Sequence, residues 1–450
     1  LLTHVLGYVG RLDEKDLQRV ESEKQAGNYR GTTHIGKIGI ERFYESRLHG
    51  TSGIEKVETN AQGRTLQVLE RIDPVHGDDL VLSLDVAVQQ AAWDALGERP
   101  GSVVALDPKD GSVLAMVSKP AYDPNLFVHG ISSAGYADIL SAPGRPLFNR
   151  TLLGGYEPGS TIKPFIGLAG LELGVVNDSD EVFSGGEYYL PNVSRPYRDW
   201  NRGGHGSVNI YEALEQSVNS YFYQLALDLG IDRMHSYLSQ FGFGVPTGID
   251  LLGESSGVLP SREWKRARFD LPWYPGETVI AGIGQGFNVV TPLQLANALS
   301  TLVNGGTRRE PRLLYASKSA GDRQAARNGS PLAGQVPVVD QANWDIVREG
   351  MRLVVHGAKG TARAIRPDTD LQIGGKSGTA QVAAQERDQD MDENTAAHLR
   401  HHALFIAYAP FDSPSIVVAV VVEHGGGGSS EAAPVARAVI DAWLEQGTGS

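Results

Sequence analysis

Two stretches far apart in the chain are built almost wholly from residues that favour extended backbone. SVVALDPKDGSVLAMVS, 102–118, breaks once, at Pro108-Lys109-Asp110-Gly111, and ALFIAYAPFDSPSIVVAVVVEHG, 403–425, breaks once between Pro410 and Pro414. Each reads as a β-hairpin, because the apolar runs have strand length and the breaks carry the residues that turns need. Helical patterns lie between them, one opening at Thr291-Pro292 as an N-cap followed by proline, and a last helix runs from about Pro434 to Gln446. Hairpin, helices, hairpin and final helix in that order predict an α+β fold, an antiparallel sheet covered by helices.

Ahead of the first hairpin, LVLSLDVAVQQAAWDALG gives a strand running into a helix that ends at Gly97, and the turn-rich DPVHGDD before it marks a boundary. The chain divides there into a small unit, 1–75, and a large one, 76–450. In the small unit Ile40, Phe43, Tyr44 and Leu48 recur at helical spacing and predict one short amphipathic helix. IEKVETNAQGRTLQVLERIDP alternates apolar and polar residues around Asn60-Ala61-Gln62-Gly63, as a hairpin does. The polar QERDQDMDENTAAHLRHH, 385–402, reads as an exposed flexible loop.

Composition narrows the function. A formal charge of -13 without a lysine and arginine block disfavours nucleic acid as a partner. The absence of cysteine removes thiol catalysis, disulfides and thiolate metal sites together. No run of about 18 apolar residues offers a membrane span. The chain opens on Leu1 with no basic-then-apolar leader, so it reads as an excised or processed piece whose anchor lies upstream.

Three short motifs carry chemistry. In GGYEPGSTIKPF, 154–165, Ser160 stands three residues before Lys163 at what reads as the first turn of a helix. That spacing sets the two side by side, with the hydroxyl at the positive end of the helix dipole. A lysine acts as a base only when burial or nearby positive charge makes it neutral near pH 7. The same residues also suit an ordinary helix start with a solvated lysine. S-x-N occurs twice. Asn209 of Ser207-Val208-Asn209 precedes Glu212 at capping-box spacing, which makes that copy a helix start. Ser217-Val218-Asn219 lies among Leu214, Tyr221, Phe222 and Leu225, where a hydroxyl and an amide need partners that a cleft supplies. The third is GGKSGTAQV, 374–382, a lysine, a small hydroxyl residue and a glycine in a strand, where Gly378 would let a ligand lie close and Lys376 adds positive charge. GIGQG, 282–286, lacks the spacing and acidic partner of a dinucleotide fingerprint and reads as a backbone turn beside the cleft.

S-x-x-K, S-x-N and K-S-G in this order resemble the signature of penicillin-interacting serine enzymes. The chain is similar to class B penicillin-binding proteins, and among them to the elongation-type penicillin-binding protein 2. GYVGR at Gly7, GKIGIERFYE at Gly36, SKPAYDPNLF at Ser118, RDWNRGGHG at Arg198 and GIGQGFNVVTPLQLA at Gly282 carry the likeness along nearly the whole chain. The resemblance implies a five-stranded antiparallel sheet flanked by helices, an all-helical subdomain, and an N-terminal pedestal that docks partners such as a membrane glycan polymerase. It implies a peptidoglycan D,D-transpeptidase at the periplasmic face of the inner membrane, acting on stem peptides ending in D-Ala-D-Ala and acylated by β-lactams, with no cofactor. Ser160 would be the nucleophile, Lys163 its base, Ser217 a proton shuttle and Asn219 the group that orients Lys163 and holds the donor's amide. Lys376, Ser377, Gly378 and Thr379 would receive the terminal carboxylate, and the N–H groups of Ser160 and Thr379 would form the oxyanion hole.

Some relatives hold zinc near the second motif. Asp199 and His205 match two of its positions, with Ser184 and Val218 at the others, a set too poor to hold zinc tightly, so these two are expected to be structural. A serine β-lactamase or D,D-carboxypeptidase shares the acylation machinery. The long gap from Ser217 to Lys376, and Val258 where a deacylating Glu254 would want an asparagine, count against a lactamase. A non-catalytic β-lactam sensor or scaffold of the cell-wall complex is the remaining alternative.

Overall fold

The two strand-rich ends of the large unit meet in one sheet. The computed structural model describes residues 1–319, 321–322, 324–380 and 400–447. The small unit holds β1 (Tyr8–Arg11) paired with β2 (His34–Ile38), and a hairpin of β3 (Ile54–Thr59) and β4 (Thr65–Ile72). β5 (Asp79–Leu82) leads into α1 (Val86–Leu96), whose first turn is capped by the Asp85 carboxylate. Next come β6 (Gly101–Leu106) and β7 (Val113–Lys119), then the buried helix α2 (Lys163–Glu172), α3 (Ile210–Glu215) and α4 (Asn219–Ser239). α5 (Pro292–Val303) starts on a Thr291 capping box, and β8 (Leu314–Lys318) pairs back onto β5. α6 (Gln341–His356), β9 (Gly374–Ala380), β10 (His402–Ala409), β11 (Ile416–Val422) and α7 (Ala433–Gly447) complete the chain.

The central sheet runs β9-β10-β11-β6-β7, antiparallel throughout. β11 pairs with β6 from Val417 against Leu106 to Val422 against Gly101, which joins the two ends of the large unit. Alternation along each strand divides the core. Val103, Val117, Phe405, Val418 and Val420 face α1 and α7, whereas Val104, Met116, Leu404, Ile406 and Val421 face the helical layer that holds α2, α4 and α5. Both faces are covered, which is why these strands read as continuous apolar runs. β9 is an edge strand, so alternate backbone groups along it face outward, and the site lies beside it.

The small unit departs from expectation at one point. The single helix expected through Ile40 to Leu48 is two short helices, Gly39–Phe43 and Glu45–Leu48, broken at Tyr44 and following directly on β2. Gly39 turns the chain at φ +67, and a Cβ there would run into the backbone of Leu6 and Gly7. Glu45 then reaches back to accept from Gly36 N at 2.7 Å and Tyr29 Oη at 3.0 Å, so a polar fold-back replaces a continuous amphipathic face. Tyr44 ties the unit to the rest of the chain: its hydroxyl donates to Asp250 Oδ2 at 2.7 Å, and Asp250 also accepts from Leu313 N and Leu314 N. Apart from its last three residues, the loop expected over 385–402 lies outside the described residues. Among the described residues no helix is long and apolar enough to cross a membrane.

Candidate active site

Ser160 sits in a 3-10 turn, Gly159–Ile162, that leads directly into α2. A 3-10 turn eclipses residues three apart, so Ser160 and Lys163 align on one edge. Pro164 falls in the first turn of α2, where a helix needs no N–H from it. The turn is held by close packing. Gly159 has φ +52 and donates its N–H to Gly284 O at 2.9 Å, and a Cβ on it would lie 2.5 Å from Thr379 O. A Cβ on Gly284 would strike Gly159 O, and one on Gly378 would lie 2.8 Å from Pro158 O and from Thr161 Cγ2. The space that a side chain on Gly378 would need is filled by the turn that carries Ser160. GIGQG is a backbone turn against that same segment.

Lys163 is fully buried, with its Nζ 5.3 Å from the centre of the Phe222 ring. Nζ donates to Ser217 O at 2.8 Å and Asn219 Oδ1 at 2.7 Å, and lies 3.4 Å from Ser217 Oγ. Burial pulls its pKa from 10.5 down to about 7, against the opposing pull of the Asp199 charge. Lys376 is also fully buried, donating from Nζ to Ser377 O at 3.1 Å. Its pKa is lowered well below the ordinary lysine value, first by burial and then by the Lys163 charge. Ser217 adopts φ +58, a left-handed conformation uncommon outside glycine and a mark of local constraint.

Asp199 explains how the second motif is built. Its Oδ2 accepts from Asn219 N at 2.8 Å and Ser220 N at 3.0 Å, capping α4 from a loop twenty residues upstream. Ser220 Oγ lies 3.1 Å from that oxygen and 2.6 Å from Ser184 Oγ. His205 Nε2 lies 3.3 Å from Asp199 Oδ1, and its Nδ1 lies 3.2 Å from Gln216 Oε1. The residues present do not fit zinc: Val218 offers no ligand atom, Asp199 Oδ2 is already taken by backbone N–H groups, and among the described residues no group of three or more His, Cys, Asp or Glu is arranged to hold a metal. The first S-x-N copy is a helix cap, Asn209 and Glu212 forming a complete capping box at the start of α3.

Two residues went unnoticed in the sequence. Glu215 Oε1 accepts from Lys359 N at 2.7 Å and Glu215 O accepts from Thr361 N, while Thr361 Oγ1 lies 3.2 Å from Ser377 Oγ. They link the segment before Ser217 to the K-S-G strand. Each is single and polar, the Glu215 contact to Lys359 spans 144 residues, and neither gave a local signal.

A serine on a rigid turn, a buried lysine with a lowered pKa and an edge strand carrying a second buried lysine define a serine acyl-transfer enzyme. The comparisons with known proteins agree. Residues 101–441 match the penicillin binding protein transpeptidase domain, and residues 1–82 match the penicillin-binding protein dimerisation domain. The chain is 43% identical over 448 residues to the peptidoglycan D,D-transpeptidase MrdA of Haemophilus influenzae, covering 99% of this chain and 68% of that protein. It is 41% identical to the Escherichia coli MrdA, covering 93% of this chain and 66% of the relative, so it spans about two thirds of these proteins' length. The solved structure of Pseudomonas aeruginosa PBP2 in complex with WCK 5153 is 48% identical, with TM-score 0.84 over 98% of this chain and 88% of that one. That of Helicobacter pylori PBP2 in complex with MreC is 30% identical, with TM-score 0.86 over 98% and 77%. The chain belongs to the penicillin-binding protein transpeptidase family.

Proposed function

We propose that this chain cross-links peptidoglycan as a D,D-transpeptidase through an acyl-enzyme on Ser160. The observation that carries the roles is the setting of Lys163. A neutral amine has two N–H bonds, and Ser217 O and Asn219 Oδ1 accept both at short range, which leaves the lone pair for a hydroxyl proton. At a pKa of about 7 that neutral form is well populated at neutral pH.

In this reading the donor stem peptide lies along the exposed edge of β9, its terminal carboxylate met by Lys376, Ser377 and Thr379. The anion favours the charged form of Lys376, against the burial that lowers its pKa. Ser160 Oγ attacks the carbonyl of the penultimate D-alanine while Lys163 takes the hydroxyl proton. The negative oxygen of the tetrahedral intermediate is held by the N–H groups of Ser160 and Thr379. Collapse breaks the peptide bond, the departing D-alanine nitrogen takes a proton relayed through Ser217, and the acyl group stays on Ser160. The amine of a second stem then attacks the ester, giving its proton back through the same groups and releasing Ser160. A β-lactam enters by the same attack, its ring amide opening in place of the peptide bond, and leaves no departing group.

Glu254 argues against a hydrolytic enzyme. It spends both carboxylate oxygens on backbone N–H groups, Thr247 N at 2.8 Å and Gly248 N at 3.2 Å, which occupies it as a loop anchor. The substrate sets the work at the periplasmic face of a cell envelope. The likeness to a PBP2 solved with MreC, and to a solved peptidoglycan synthase complex, supports partners in the elongation machinery, the membrane glycan polymerase among them, met through the small unit.

The test is intact mass after treatment with a fluorescent penicillin, with peptide mapping of the adduct. A lasting adduct on Ser160, absent in Ser160→Ala, is expected. Labelling that persists in Ser160→Ala removes the nucleophile, and an adduct lost within minutes makes the chain a β-lactamase.

A further inference from the structure

The segment that carries Ser160 is tied to two parts of the fold. Toward the helical layer, Tyr156 N donates to Val290 O at 3.0 Å and Tyr156 O accepts from Val290 N at 2.8 Å. Gly286 N donates to Glu157 Oε1 at 3.0 Å, and Gly159 N to Gly284 O at 2.9 Å. Toward the sheet, the turn packs against Thr379 and Gly378 of β9. A further tie to the sheet comes from a residue that the mechanism leaves unused. Glu423 follows the last residue of β11 and gives its N–H to Pro100 O at 2.9 Å. Its Oε1 accepts from Tyr156 Oη at 2.8 Å, and its Oε2 from Arg150 Nη2 at 3.1 Å.

The strand register places this carboxylate at the end of the sheet where the proposed oxyanion hole is built. Thr379 stands opposite Ala403, and Ala403 opposite Val422, so Glu423 comes next after the residue in line with Thr379. His402, just before Ala403, meets the Tyr156 ring edge-on at 5.4 Å, and its Nδ1 accepts from His424 N at 3.0 Å. Tyr156 is 5% exposed and Arg150 2%. A hydroxyl donating to a carboxylate with so little water nearby makes a strong, directional bond.

The two N–H groups that would hold the oxyanion lie on separate pieces of chain, Ser160 on the turn and Thr379 on the edge strand. They act together only if both stay aimed at one point. We propose that Glu423 and Tyr156 are positioning residues for acylation: the carboxylate, oriented by Arg150, holds Tyr156 to the end of the sheet and so fixes the Ser160 N–H relative to that of Thr379. Neither residue touches substrate. A buried ion pair adds little net stability over apolar packing of the same volume, and here it serves the geometry it imposes. This step rests on the function proposed above.

Tyr156→Phe tests it by removing one hydroxyl while keeping the ring against His402. Labelling of Ser160 is followed across a range of penicillin concentrations, which separates the first-order acylation constant at saturation from the half-saturating concentration. The first-order constant is expected to fall about tenfold or more, and the half-saturating concentration to move less than about threefold, because a misaimed donor is missed in the transition state and not in the first complex. A boronic acid that forms a tetrahedral adduct on Ser160 should lose affinity by a similar factor. Glu423→Gln, in which an amino group replaces one accepting oxygen, should show the same split. The double variant should fall no more than about threefold below the weaker single one, since each breaks the same link. Intact mass counts the labelled fraction, so the constants are read on folded molecules whatever a variant costs in stability.

A first-order constant within about threefold of wild type in Tyr156→Phe, a loss that falls on the half-saturating concentration instead, or fully additive losses in the double variant overturns the assignment. Absence of labelling at Ser160 in the wild type overturns the underlying function; normal wild-type labelling with an undisturbed Tyr156→Phe overturns the positioning role alone.

Discussion

Acylation by a penicillin should climb about tenfold between pH 6 and pH 8 and then level, because in the proposed mechanism only neutral Lys163 accepts the Ser160 proton. With a midpoint of about 7, the neutral fraction is about one in eleven at pH 6 and about ten in eleven at pH 8. A solvated lysine at 10.5 would be neutral only about once in three thousand molecules at pH 7, so burial supplies a gain on the order of a thousandfold in reactive amine. The free-energy equivalent is about 5 kcal/mol, spent by the fold on keeping this group out of water. The sign for stability follows. The folded pKa lies below the unfolded one, so burial of Lys163 counts against the folded state below about 7 and this cost fades as pH rises from about 7 toward 10.5. The assay is the second-order rate constant of penicillin acylation across roughly pH 5.5 to 9.5, with circular dichroism at each pH to show that the fold is intact. A flat profile, or an inflection above about pH 9, refutes the assignment of Lys163 as a buried base. Asp199→Asn supplies a second arm. Asp199 is the charge that holds the lysine's pKa up, so the inflection should move to lower pH, and a move upward refutes that account.

Gly159→Ala should keep the overall fold yet cost about 1–3 kcal/mol and slow penicillin labelling at least tenfold, because the new Cβ meets Thr379 O on a backbone at φ +52; thermal unfolding and labelling rate read the two effects. Thr361→Val removes the hydroxyl 3.2 Å from Ser377 Oγ and should raise KM for donors with a terminal carboxylate about two- to tenfold while kcat changes less, with Thr361→Ser restoring it. If kcat falls and KM does not, Thr361 acts otherwise than by positioning Ser377. Tyr44→Phe breaks the bond to Asp250 Oδ2 and should lower the unfolding free energy by about 1–3 kcal/mol with penicillin labelling unchanged, which separates the attachment of the small unit from the site.

Much of the architecture was legible because its signals are local. The hairpins at 102–118 and 403–425, the Thr291-Pro292 helix start and the Asn60 to Gly63 turn each depend on residues within a few positions of one another, and each stands where the pattern predicts. The capping box at Asn209 and Glu212 likewise exposed the first S-x-N copy as a helix start. The helix expected through Ile40 to Leu48 failed for the complementary reason: its apolar spacing is helical, but the break at Tyr44 is decided by Glu45 reaching back to Gly36 and Tyr29. Gly378 shows the same limit at the site, since a glycine in a strand says that something approaches closely without saying what. Here the neighbour is Thr161 and Pro158 O.

By itself the sequence determined the elements, the candidate residues and, through the order of three motifs, the class of chemistry. Tertiary structure alone decided that Gly159, Gly284 and Gly378 close on one turn, that Ser217 is held at φ +58, and that Asp199 caps α4. It alone buried Lys163 and so lowered its pKa. A motif lists which groups are present, but a lysine's pKa depends on how completely water is removed by segments distant in sequence. That is a property of the packed core and of no local stretch of chain.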